Sequence, residues 1–80
     1  FNPSTTIKYT LNDNSYVNVS IYDIKGELVK TLFNGYQNKG NKSLVWNSVN
    51  NKNEPMPGGL YVYSVKTKNS IYSKKMMLLK

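Results

Sequence analysis

Pro57-Gly58-Gly59-Leu60-Tyr61-Val62-Tyr63-Ser64-Val65 is the stretch whose reading decides the fold. Its two glycines allow left-handed backbone or close approach, and the residues beyond them alternate with period two. Tyr61, Tyr63 and Val65 fall on one face of the implied strand, and Leu60, Val62 and Ser64 on the other. Apolar side chains on both faces mark a central strand, paired along both edges.

The same alternation extends outward in both directions. Thr5 to Leu11 places Ile7, Tyr9 and Leu11 on one face, behind a proline whose missing N–H suits an edge. Asn12-Asp13-Asn14-Ser15 then predicts a hairpin-type reversal. Tyr16 to Asp23 carries Val17, Val19 and Ile21 on one face, and Asp23-Ile24-Lys25-Gly26-Glu27 is a tight turn with Gly26 at the positive φ. Leu28 to Phe33 fits a helical stripe nearly as well as a strand. Six residues between two turns are too few for a stable helix, and a bulge accounts for the broken alternation. A polar connection from Asn34 to Asn41 is long enough to cross between two sheets. Ser43 to Asn47 is a short strand holding the single Trp46, and Ser48 to Pro55 is a loop rich in turn formers. Downstream of the central strand, Asn69-Ser70 turns the chain into a last strand, Ile71 to Leu79, with Met76 and Leu78 facing inward.

No helix is required anywhere. The expected fold is all-β, an immunoglobulin-like or fibronectin-like antiparallel β-sandwich of about seven strands. Its expected core is Ile7, Val19, Ile21, Val29, Leu32, Trp46, Tyr61, Tyr63, Met76 and Leu78. Tyr61 and Tyr63 read as core or tyrosine-corner residues.

Eighty residues make one domain, which buries only about 60% of the surface its unfolded chain exposes. A 39% hydrophobic content with ten aromatic residues supplies one core. Neither Cys nor His is present, which removes disulfides, zinc sites and the usual nucleophile and base pairs. Four carboxylates remain, Asp13, Asp23, Glu27 and Glu54, and the loop after Trp46 offers Glu54 alone to a calcium ion. The sequence therefore argues against catalysis and against any cofactor or metal. Its longest apolar runs are far shorter than the roughly 18 residues of a membrane span, so no membrane insertion is expected.

The net charge of +7 comes from eleven Lys and no Arg. Without Arg, the planar fork suited to phosphate and guanine is missing, and the lysines are scattered over strand ends and turns. Nucleic acid is not the expected partner. From Pro55 to Lys80, however, five lysines meet no acid. The chain opens at Phe1-Asn2-Pro3 without an initiator Met, which suggests a piece of a longer protein.

Five features stand in order: Asn2-Pro3-Ser4-Thr5-Thr6-Ile7; Ile21-Tyr22-Asp23 followed by Gly26, Val29 and Leu32; Gly40 leading to Trp46; Gly59-Leu60-Tyr61-Val62-Tyr63; and Lys75-Met76-Met77-Leu78-Leu79-Lys80. Together they resemble the type A C-terminal sorting domain of the bacterial type IX secretion system, and its relative, the immunoglobulin-like domain of the flagellar hook-capping protein. The sorting-domain resemblance implies a single C-terminal domain over residues 1–80 that directs an upstream cargo domain to the cell surface or medium. The implied partners are the outer-membrane secretion machinery and its sortase. The implied route is through the periplasm, as a monomer, with recognition carried by Lys75, Met76, Met77, Leu78, Leu79 and Lys80. The sequence departs from that pattern at Trp46-Asn47-Ser48, where Trp-Asp-Gly is usual, and at Asn53, where a glycine is usual. The alternative is a structural or adhesive accessory module of a secreted enzyme, binding carbohydrate through Trp46, Tyr36 or Tyr72 if those rings form a flat exposed platform.

Overall fold

The computed structural model describes residues 3–79. Six strands follow in chain order: β1 (Thr5–Leu11), β2 (Ser15–Asp23), β3 (Leu28–Gln37), β4 (Gly40–Trp46), β5 (Gly59–Lys66) and β6 (Ile71–Leu78). They form two antiparallel sheets, one of two strands in the order β1-β4 and one of four in the order β3-β2-β5-β6. The expected sandwich is present, with six strands in place of about seven. No helix among the described residues is long and apolar enough to cross a membrane.

The central strand pairs on both edges, with β2 on one side and β6 on the other. Its alternation fixes the core. Tyr61, Tyr63 and Val65 are buried alongside Val17, Val19 and Ile21 of β2, and face Ile7, Leu11 and Trp46 from the smaller sheet. Leu78 closes the core from β6 at 2% exposure. Leu32 and Met76 are partly buried and pack against it.

One pairing and one strand length differ from the sequence reading. The Asn12 to Asn14 segment does not close a hairpin, because β1 pairs with β4 in the register Thr5↔Trp46 to Leu11↔Gly40. Alternation reports which face of a strand is apolar, not which edge it pairs along. The apolar faces of β1 and β2 are instead packed against each other across the core. Strand β3 also runs beyond Phe33 to Gln37, so the polar connection shrinks to Asn38 and Lys39. That turn is pinned by the Lys39 N–H, which donates to Asn14 Oδ1 at 2.8 Å.

The broken alternation of β3 has a definite cause. Its register against β2 shifts between Val19 and Ser20 and between Ile21 and Tyr22. The residues skipped by those shifts are Leu32 and Val29. Both pack against the core, so each bulge turns an apolar side chain inward where strict alternation would not.

The sandwich has two poles. Trp46, the loop after it, the 23–27 turn and the outer ends of β1 and β6 lie at one; the segments 12–14, 38–39 and 67–70 lie at the other. The Asp23 turn closes as read, with Gly26 at φ 82° and Asp23 Oδ1 accepting from the Lys25 and Glu27 amides.

On the outer face of the larger sheet, Ser64 sits opposite Ser20. Ser20 Oγ donates to Asn18 Oδ1, but Ser64 Oγ is buried without a hydrogen-bond partner. A desolvated, unpaired hydroxyl costs about 1–3 kcal/mol. Ser64→Ala is therefore expected to raise the urea midpoint of unfolding, or at least not to lower it. Truncation along β6 should follow the pleat: Leu78→Ala is expected to cost about 2–5 kcal/mol in the same measurement. The half-exposed neighbour Met77→Ala should cost less than about 1 kcal/mol.

Candidate functional site

Trp46 and Tyr61 form the most organised cluster in the molecule. Their rings meet edge to face with centroids 5.2 Å apart. Trp46 Nε1 donates to the Val49 carbonyl at 2.9 Å, and the Tyr61 hydroxyl donates to the Pro57 carbonyl at 2.6 Å, four residues upstream. The latter is the tyrosine-corner arrangement expected of such a sandwich. Trp46 is wholly inaccessible, so it is a core anchor and offers no ring to a sugar.

Beyond Trp46 the loop is held by Asn50 and Asn51. Asn50 Oδ1 accepts from the Lys52 and Glu54 amides, and its Nδ2 donates to Glu54 Oε1. Asn51 bridges to β3, donating its amide to the Val29 carbonyl and accepting the Thr31 amide at Oδ1. Asn53 takes the left-handed conformation, φ 62°, that its type tolerates. Ser48 also does, at φ 64°, and its Oγ donates to the Pro3 carbonyl. That second left-handed residue is not legible from residue type, because Ser is not a left-handed former.

These bonds define what the carboxylates do. Asp23 caps its own turn, and Glu54 holds the Asn50 loop. A cavity of about 440 Å³ between the 12–15 and 67–70 segments contains Asp13 as its one carboxylate. Among the described residues, no three Asp or Glu side chains are grouped so that they could hold a metal ion.

The aromatic surface is likewise not a platform. Tyr36 is exposed, but it meets Tyr16 across the β2–β3 pair at an interplanar angle of 76°. Tyr72 is exposed on the core-facing side of β6 and tilts 53° against Tyr63. Neither pair presents the flat face that sugar stacking requires. The Tyr16 and Tyr36 contact was not foreseen, since it depends on the β2–β3 register.

The residues expected to carry sorting are divided by the pleat of β6. Met76 and Leu78 turn toward the core, opposite Tyr61 and Gly59, while Lys75 and Met77 stand on the outer face, opposite Val62 and Leu60. Leu79 lies exposed beyond the strand, and Lys80 lies outside the described residues. They do not share one face.

The comparisons with known proteins bear on the same strand. A family model described as the FlgD Ig-like domain matches residues 2–70. The chain belongs to that family. FlgD from Pseudomonas aeruginosa is similar in structure, with a TM-score of 0.71 and 28% identity over 94% of this chain. The chain spans 59% of the length of that FlgD chain. No curated protein matches the sequence. The immunoglobulin-like relationship to FlgD is thus established. The type IX sorting function, with its carbohydrate-binding alternative, is corrected by these findings: the family model and the solved structure described are both of FlgD, and the family match ends before Lys75.

Three phenols sit where burial disfavours their charged form. Tyr9, Tyr61 and Tyr63 all have pKa values raised above 10, by desolvation first, with Asp23 adding to the effect at Tyr61 and Tyr72 at Tyr63. The hydrogen bond from Tyr9 to Gln37 opposes its shift without cancelling it. In the unfolded chain these phenols ionise first, so stability is complete below pH about 10 and declines as pH rises beyond it. A thermal melt series from pH 8 to 12 should show that loss, and Tyr63→Phe should make the decline shallower.

Proposed function

We propose that this chain is a structural, non-catalytic immunoglobulin-like module of a FlgD-like flagellar hook-capping protein. The observation that supports this reading most is the FlgD Ig-like match over residues 2–70. The construction of the domain agrees with it. Its buried Trp46 and Tyr61 and the Asn50–Asn51 loop are engaged in holding the sandwich together. On this reading its partners are other protein subunits, and its working place is the growing hook.

In the organism that encodes the chain, an in-frame deletion of residues 3–79 is expected to leave cells without hooks by electron microscopy and without swimming. The proteins exported to the surface should be unchanged. A deletion strain that keeps its hooks, or one that loses surface proteins instead, overturns the reading.

A further inference from the structure

A two-stranded sheet over a four-stranded one leaves part of the larger sheet uncovered. Strand β1 faces β5 and β6 across a cavity lined by residues of all three, and its edge away from β4 has no pairing strand among the described residues. The consequence is visible on β6, where Tyr72 and Lys74 occupy core-facing positions in the register and are nonetheless exposed. Between this edge and β6 is a cavity of about 310 Å³, walled by Lys8 to Leu11 on one side and by Val65, Ser70 and Tyr72 on the other. An open strand edge presents unpaired backbone donors and acceptors to any extended segment that reaches it.

Charge selects among possible occupants. Lys8 stands on β1 itself, Lys74 is the exposed lysine on the side of β6 that faces the smaller sheet, and strands β1, β5 and β6 carry no carboxylate. A second copy of a chain bearing +7 would be repelled at this edge, whereas an acidic segment would be attracted. We infer that the open edge of β1 is a docking site for an extended acidic segment of a partner protein, which adds as a third strand to the smaller sheet. Its alternate apolar side chains would cover Tyr72, and its acidic ones would meet Lys8. This inference does not depend on the hook-capping reading.

The test uses the 80-residue chain and a fluorescent peptide of about eight residues alternating Glu and Val. Saturable binding is expected, with slowed hydrogen exchange at the alternate β1 amides that point away from β4. Tyr72→Ala and Lys8→Glu should each weaken binding roughly tenfold. Lys75→Glu, on the opposite face of the larger sheet, should change it by less than about twofold at physiological salt. Tyr72, Lys8 and Lys75 are all exposed, so these variants should fold, and a native thermal melt of each checks that. Absence of binding overturns the inference. So does equal weakening by Lys75→Glu, which indicates diffuse attraction, or protection at the edge of β3, β4 or β6. Slowed β1 exchange through self-association without peptide, or with an oligonucleotide of the same charge, also overturns it.

Discussion

The contact between Trp46 and Tyr61 ties the two sheets of this small sandwich together at one pole. Each ring is amphipathic, and each places its polar atom on a carbonyl of a neighbouring loop, Val49 for the indole and Pro57 for the phenol. Burying such rings without those partners would leave desolvated donors in the core. The conformation of residues 48–58 is therefore coupled to the packing of the core itself. The hydrogen-bonded Asn50 loop, its anchorage to β3 through Asn51 and the left-handed Ser48 all serve to bring those carbonyls to the rings.

Around that pole the design is economical in what it covers. Two strands are laid over four, and the core thins toward Tyr72 and Lys74 of β6, which face inward and are exposed. This asymmetry separates side chains packed in the core from core-facing side chains left exposed. Residues that look alike in sequence have different fates on either side of it: Tyr61 and Tyr63 are packing residues, whereas Tyr72 is half exposed.

The sequence made strand identity and sidedness largely legible. Alternation in β1, β2 and β5 correctly assigns Ile7, Val19, Ile21, Tyr61 and Tyr63 to the interior, because periodicity two follows directly from the pleat. The pairing of β1 was not legible, and the Asn12 to Asn14 segment crosses between sheets although its residues would equally suit a hairpin. The β3 pattern looked ambiguous for a physical reason, namely two bulges that turn Val29 and Leu32 inward. The terminal Lys75 to Lys80 run was the most misleading feature. It is contiguous along the chain, but a strand divides contiguous residues between two environments, and the core claims Met76 and Leu78.

The shared pole of β1 and β6 has a mechanical consequence. Thr5 pairs with Trp46, and Leu78 pairs with Gly59, so the outer ends of the first and last strands emerge on the same side of the sandwich. Tension drawing those ends apart would load the backbone hydrogen bonds of β1 and β6 one after another, like a zipper, rather than all together in shear. Pulled at those two ends, the domain yields progressively rather than all at once.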